Sequence, residues 1–191
     1  RAYDDACAYR FVSLSDKPFI VKDEQADFRF PEDRTAYIPY IHKKWKGSLE
    51  EILENDFQCP YTHSLLSEWN ERYSIAPLLV ECPEGKKVVI TEADLMNYPG
   101  MFLYNYKKGS GETLSGYFAR VPDKTEIGGH NMVQEKIDSR KDYIAECQPF
   151  EKFPWRVVAV SSSDKELTDS DIVWKLATPA ADTDWSWVRP G

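Results

Sequence analysis

The sequence predicts an all-β protein, an antiparallel β-sandwich with a short helical insertion around residues 48–73. Strand-like runs rich in aromatic and β-branched residues recur along most of the chain. Turn-like spacers separate two pairs of these runs, as in β-hairpins. The runs also follow one another at short intervals, which favours a sandwich over alternating βαβ units.

The predicted strands can be justified one by one in chain order. The first three runs combine aromatic and branched residues, two hairpins follow, and a near-continuous apolar run predicts a strand covered on both faces. A polar run at 161–171 is interpreted as a solvated loop. The strand-like runs are ACAYRFVSL (6–14), DFRFPE (27–32), AYIPYIH (36–42), a hairpin over 76–91, a hairpin over 100–122, PWRVVAVSS (154–162) and DIVWKLA (171–177).

The helical insertion is predicted from a capping-box pattern. Ser48 is followed three residues later by Glu51, so each side chain can satisfy the free backbone N–H of the other residue. Apolar residues then fall on one helical face. The run at 62–73 is interpreted as a second short helix.

Composition limits the classes of function. The chain has 191 residues, enough for a single domain over 1–191, and a net charge of −8 with a pI near 5.0. A nucleic-acid partner is not expected, because phosphate binding requires a surplus of Lys and Arg. A sugar or a metal ion fits this charge better. No apolar run approaches the roughly 20 residues that a membrane-spanning helix needs, and no CxxC pair suggests structural zinc. Both ends look cut, so we expect a piece of a larger protein.

The histidines and glycine loops give no catalytic motif. His42, His63 and His130 lie in no recognisable nucleophile pattern, so we interpret them as surface or packed imidazoles. Neither glycine-containing loop matches a phosphate-binding pattern. No catalytic residue is assigned to this chain.

The tryptophans allow two interpretations, core packing or stacking on a sugar. Trp155 and Trp174 lie in apolar runs and are predicted to be buried. Trp185 and Trp187 are two residues apart near the C-terminus, so both would face one side of an extended segment. They are candidate substrate-binding residues.

The stretch TEADLMNYPGMFL (91–103) places acids between two apolar runs. Glu92 follows a predicted strand directly, and carboxylate and amide oxygens such as those of Glu92, Asp94 and Asn97 are ligands that Ca²⁺ prefers. The alternative is a helical or turn cap, with Thr91 capping and Glu92 and Asp94 favouring a helix N-terminus. The stretch cannot supply the 6–8 oxygens of a calcium site by itself.

Several segments resemble glycoside hydrolase family 97, the α-glucosidases and α-galactosidases related to a starch-utilisation enzyme of gut Bacteroidetes. Ala6 departs from the glycine expected at its position. The matches run almost from end to end of the chain and occur in the family's order. The matching segments are DDACAYRF (4–11), DEQADFRFPED (23–33), ITEADLMNYPGMFL (90–103), QPFEKFPWRVVAV (148–160) and DWSWVRPG (184–191).

The resemblance implies a specific place in a larger enzyme. The chain would be the later part of an N-terminal β-super-sandwich that ends where a catalytic (β/α)₈ barrel, absent here, begins. The barrel would be its intramolecular partner and an α-linked oligosaccharide the substrate, in a periplasmic or secreted enzyme. The family uses Ca²⁺, and Glu92 is the position matched to the ligand from this domain. Asn97 is a weaker candidate near the same site.

Two other functions stay open at this stage. A non-catalytic carbohydrate-binding module would use Trp185 and Trp187 as its stacking platform. A mutarotase-like sugar epimerase would need a histidine and a carboxylate in one cleft, which here means one of the three histidines close to Glu92.

Overall fold

The computed structural model describes residues 1–41, 53, 60–69, 73–105, 111–179, 184 and 186–189. Thirteen strands and two short α-helices lie in this part of the chain, and no helix in it is long and apolar enough to cross a membrane. The elements are β1 Ala6–Tyr9, β2 Phe19–Val21, β3 Asp27–Arg29, β4 Thr35–Ile38, β5 Thr62–Leu65, β6 Leu78–Glu81, β7 Lys87–Ala93, β8 Met101–Asn105, β9 Thr113–Phe118, β10 Pro122–Gly128, β11 Gln134–Arg140, β12 Ala145–Cys147, β13 Trp155–Ser161, α1 Asp164–Asp169 and α2 Ile172–Leu176.

The largest sheet has six strands in the order β1-β13-β7-β6-β4-β5, and all of its pairings are antiparallel. A three-stranded sheet, β3-β9-β8, packs against its inner face. Two further antiparallel pairs, β2 with β12 and β10 with β11, complete the described fold. The predicted antiparallel sandwich is therefore confirmed.

The main core lies between the two larger sheets. Alternate residues of β6 and β7, such as Val80 and Ile90, point inward and meet Leu103 and Leu114 from the facing sheet. The period of two along each strand sets one face of the sheet toward this core.

A second core covers the outer face of the six-stranded sheet. Val157 and Ala159 of β13 point outward, where Ile172 and Leu176 of helix α2 pack on them. Strand β13 is thus covered on both faces, as its near-continuous apolar sequence predicted.

Helix α2 replaces a predicted strand. Residues 171–177 were expected to be extended, but Ile172 and Leu176 are four residues apart and both fall on the buried face of a helix. Trp174 lies on the opposite face and is 82% exposed, so its predicted burial is wrong. Trp155 is buried as predicted.

The middle of the polar run at 161–171 also forms a helix, α1, over Asp164–Asp169. Ser163 caps helix α1 by accepting a hydrogen bond from the Glu166 N–H. The acidic residues in its first turn also interact favourably with the positive end of the helix dipole. The prediction of a loop missed this cap.

The helical insertion is only partly described. The capping-box segment at 48–57 lies outside the described residues apart from Leu53. The second proposed helix is wrong over its described part, because residues 62–65 form strand β5 beside β4 and only Leu66–Glu68 make a 3-10 turn. Pairing with β4 makes residues 62–65 a strand rather than a helix.

Leu103→Ala tests the main core. Leu103 is fully buried in the cluster between the sheets, so truncation should lower the free energy of unfolding by about 2–5 kcal/mol. Urea unfolding followed by tryptophan fluorescence measures this change. Leu14→Ala is the control, because Leu14 is 89% exposed and its truncation should cost less than about 0.5 kcal/mol. Equal losses in the two variants would contradict the assigned core.

Candidate functional site

The stretch at 91–103 crosses from one sheet to the other. Thr91, Glu92 and Ala93 are the last residues of β7, and Met101 begins β8 in the facing sheet. No helix starts at Thr91, so a helical cap is wrong, and the segment after β7 is a turn instead. The connecting turn is built around left-handed backbone conformations at Asp94 and Asn97, with φ of 59° and 49°. Aspartate and asparagine tolerate this conformation better than most residues.

Glu92 is largely buried and uses both carboxylate oxygens. Its Oε2 accepts a hydrogen bond of 2.8 Å from the backbone N–H of Met101, and its Oε1 accepts one from Nη1 of Arg156. Its side chain is 11% exposed. Arg156 is its direct cross-strand partner on β13, so the sheet register itself brings the two charges together.

Arg156 also binds a second carboxylate. Its Nε donates to Oε1 of Glu24 at 2.8 Å and its Nη2 donates to Oε2 of the same residue at 2.7 Å. This two-point arrangement matches the planar guanidinium to the carboxylate. The Tyr98 hydroxyl donates to Oε2 of Glu24 at 2.8 Å. The centre of the Arg156 guanidinium lies 4.7 Å from the ring centroid of Phe118, within cation–π range.

We call Glu24, Glu92, Tyr98 and Arg156 the buried charge cluster. Arg156 is 1% exposed and faces two carboxylates, so the ionised cluster carries one net negative charge. Burial raises the pKa of Glu92, and the nearby Glu24 charge adds to this, although the Met101 N–H and Arg156 oppose it. Burial and Glu24 also raise the pKa of Tyr98, which keeps its phenol a hydrogen-bond donor.

Asp94 forms a separate contact set beside the cluster. Its Oδ1 accepts a hydrogen bond of 2.7 Å from the Thr178 N–H, and its Oδ2 accepts one of 3.0 Å from the Thr178 hydroxyl. Arg10 Nη1 donates to Oδ2 at 3.1 Å. Burial acts to raise the pKa of Asp94, but the Thr178 hydrogen bonds and the Arg10 charge outweigh it and leave the pKa lowered.

Of the other predicted site residues, the structure describes Asn97 and Trp187. Asn97 is exposed and lines a shallow crevice with Pro122 and Arg140, at the base of the β10–β11 hairpin. Trp187 is 70% exposed. Trp185 lies outside the described residues. The proposed roles of all three in substrate binding therefore stay predictions.

The structure does not place a described histidine with Glu92. His63 stacks on Tyr37 and lies 3.1 Å from Glu81, on the outer face of the six-stranded sheet. Glu92 points to the inner face of that sheet, opposite Arg156. His42 and the side chain of His130 lie outside the described part of the structure. The cleft that an epimerase requires is thus not formed by His63.

The residues of the buried charge cluster do not by themselves fit a calcium site. Both oxygens of Glu92 are engaged, and Glu92 shares the positive charge of Arg156 with Glu24. No group of three or more His, Cys, Asp or Glu side chains in the described ranges could hold a metal ion. Ca²⁺ needs 6–8 oxygen ligands, so most of them would have to come from outside these residues.

Sequence reasoning missed the residues that surround Glu92. Arg156 was visible as a lone cation in an otherwise apolar strand, and such a residue must find a buried partner. Glu24 stands in one of the segments that resemble the family. Neither signal names its partner, because 132 positions separate Glu24 from Arg156.

Comparison with known proteins identifies the family. The sequence profile described as Glycosyl-hydrolase 97 N-terminal matches residues 1–179. The chain belongs to this family. The family 97 domain is also 40% identical, over 192 aligned positions, to a retaining alpha-galactosidase of Bacteroides thetaiotaomicron. That alignment covers 100% of this chain and 29% of the relative, so the family 97 domain spans less than a third of that enzyme's length.

Solved structures support the fold. A glycoside hydrolase family 97 enzyme from Pseudoalteromonas sp. strain K8, in complex with acarbose, superposes with a TM-score of 0.69 at 19% identity, covering 99% of this chain and 24% of that one. A beta-arabinopyranosidase superposes with a TM-score of 0.71, also at 19% identity, covering 96% and 28% of the two chains. At this identity the likeness concerns the fold of the family 97 domain alone.

Arg156→Met tests the buried charge cluster. The variant keeps similar bulk but leaves two buried carboxylates without their cation, so the free energy of unfolding at pH 7 should fall by about 3–5 kcal/mol. Urea unfolding measures the loss. Adding Glu24→Gln and Glu92→Gln to Arg156→Met should recover part of it, because no unpaired charge then remains. Arg29→Met is the control, since its ion pair with Glu112 is exposed. An equally small effect at both positions would contradict the structural role of Arg156.

Proposed function

We propose that this domain is the later part of the N-terminal super-sandwich of a longer glycosidase that cleaves α-galactosidic or α-glucosidic bonds. The observation that carries the proposal is the 40% identity to a retaining alpha-galactosidase along the full length of this chain. That named activity makes an α-galactoside the first substrate to test and retention the first stereochemical outcome. The substrate class is an α-linked oligosaccharide, and the expected location is periplasmic or secreted.

The chemistry itself is assigned to another domain. Glycoside hydrolysis needs two carboxyl groups on either side of the scissile bond. Both acids of the buried charge cluster accept hydrogen bonds from Arg156 and are largely buried, so the cluster does not present them as a free carboxyl pair on either side of a sugar ring. We therefore place the catalytic pair on a (β/α)₈ barrel that packs against this domain. The role of the family 97 domain is to support that barrel and shape the edge of its active site.

The proposal includes a Ca²⁺ site that this domain shares with the barrel. We propose that Glu92 gives a single ligand to a Ca²⁺ ion whose other ligands come from the barrel. Two features support this: Glu92 is the last inward-facing residue of β7, so its position is fixed, and its carboxylate keeps some exposure. Calcium would supply a positive charge at the domain boundary. To contribute, Glu92 must offer a lone pair that Arg156 and the Met101 N–H leave unused.

The activity test compares this chain with the longer enzyme. The longer enzyme should hydrolyse p-nitrophenyl α-galactoside or α-glucoside, and residues 1–191 alone should show no turnover, because the catalytic carboxylates lie elsewhere. Release of p-nitrophenol measures both. Turnover by the 191-residue chain that one substitution abolishes would overturn the assignment. A longer enzyme that binds glycan without cleaving it would favour the carbohydrate-binding alternative with Trp187.

The calcium test uses Glu92→Gln in the longer enzyme. An amide oxygen binds a hard cation less strongly than a carboxylate does, so the Ca²⁺ concentration for half-maximal activity should rise about tenfold. Excess Ca²⁺ should restore part of the rate. Glu81→Gln is the matched control, since Glu81 lies on the opposite face of the sheet and should titrate like the parent.

A purely structural Glu92 gives a different result in the same titration. Glu92→Gln would then reduce the rate through weakened Arg156 contacts, and added Ca²⁺ would restore none of it. The 191-residue chain should unfold at the same urea concentration with or without a chelator, because it lacks most of the ligands. A large effect of chelator on this chain would show a complete site within it.

A further inference from the structure

Asp94 ties two distant parts of the chain together where helix α2 ends. All of its described hydrogen bonds come from Thr178 and Arg10, and its side chain is only 11% exposed. Thr178 follows helix α2 by two residues and is itself exposed. Asp94 therefore connects the exposed segment after the helix to the end of strand β7.

The Arg10 side of this contact is held in place by packing. Its guanidinium centre lies 4.4 Å from the ring centroid of Trp155, and the Arg1 guanidinium lies 4.9 Å from the same ring. Trp155 is buried and belongs to β13. Arg10 thus reaches Asp94 from a fixed position, which makes the carboxylate a stable anchor for Thr178.

The turn that follows Asp94 presents two apolar side chains outward. Leu95 is 45% exposed and Met96 is 66% exposed, although the neighbouring residues of β7 and β8 are well packed. The left-handed conformations at Asp94 and Asn97 hold this turn in a defined shape. Two adjacent apolar residues on a fixed turn, next to an anchored chain segment, have the character of a contact surface.

We propose that Asp94 is a positioning residue, which fixes the connector after Thr178 so that the next domain of the same polypeptide docks on the Leu95–Met96 turn. The inference rests on the proposed function, in which a catalytic barrel follows this domain. The relative supplies the length of chain required, because this chain covers only 29% of it. A tethered neighbour that starts beside the turn has a high effective concentration there. The partner surface is therefore an apolar patch of the barrel.

Limited proteolysis of the longer enzyme tests the anchor. A protease that cleaves after aromatic residues reports access to Trp185 and Trp187 in the connector. Asp94→Asn keeps the size and tolerates the left-handed backbone, and Thr178→Val removes the hydroxyl. Each should raise the cleavage rate at these sites about tenfold, as expected for losing a hydrogen bond to a charged group. The double variant should be cleaved more slowly than the product of the two single effects predicts, because both changes weaken the contact between the Thr178 hydroxyl and Asp94.

A substitution on the Leu95–Met96 turn provides an independent test of the docking surface. Met96→Lys should also raise the connector cleavage rate, because a charge at the docking turn opposes burial against an apolar patch. Leu14→Lys is the matched control, since Leu14 is 89% exposed and lies outside the turn, and it should leave the rate unchanged. The cleavage rates of Met96→Lys and Leu14→Lys can be compared even if Asp94→Asn fails to fold.

The outcomes separate this inference from the proposed function. Parental cleavage rates in both Thr178→Val and Met96→Lys, or additive effects of the two anchor variants, would overturn the positioning role of Asp94. The proteolysis readout does not depend on glycosidase activity. If the cleavage rates change as expected but the enzyme hydrolyses no α-glycoside, the proposed reaction is overturned and the proposed docking surface is retained.

Discussion

The burial of Arg156 between Glu24 and Glu92 is the constraint on which the arrangement of this domain depends. A guanidinium with 1% exposure is tolerated only if its donors are satisfied, and here both carboxylates accept from it. Replacing such a cluster by apolar residues could give equal stability, so its value lies elsewhere. It specifies which segments must meet: the loop before β3, the end of β7 and the start of β13.

The same cluster specifies strand register. Arg156 and Glu92 are direct partners in the β13–β7 ladder. A slip of one residue would turn Arg156 toward the outer face, where Val157 and Ala159 pack under helix α2. The apolar residues of β13 could pack on either face, because both faces are covered. Arg156, the single charged residue in β13, therefore fixes which face of the strand points inward, and the apolar residues alone would not fix it.

Two acids two residues apart thus take different roles for geometric reasons. Glu92 is the last inward-facing residue of β7, so its carboxylate meets the buried arginine. Asp94 lies just past the strand, where a left-handed backbone turns its side chain toward Arg10 and Thr178. Glu92 pairs with the buried arginine between the strands, and Asp94 accepts hydrogen bonds from Thr178 just after helix α2. This division suits a domain whose proposed task is to support a neighbouring catalytic barrel.

The sequence by itself determined the fold class, the two hairpins, the doubly covered strand β13 and the resemblance to family 97, because all of these rest on local runs of apolar and β-branched residues, turn residues and short motifs. Tertiary structure alone decided the rest. Ile172–Leu176 form a helix because Ile172 and Leu176 pack on the outer face of a sheet assembled from distant strands. Glu92 was singled out from its strand-end position, but its partners Arg156 and Glu24 are set by strand register and by contacts across 132 positions, which no local pattern encodes.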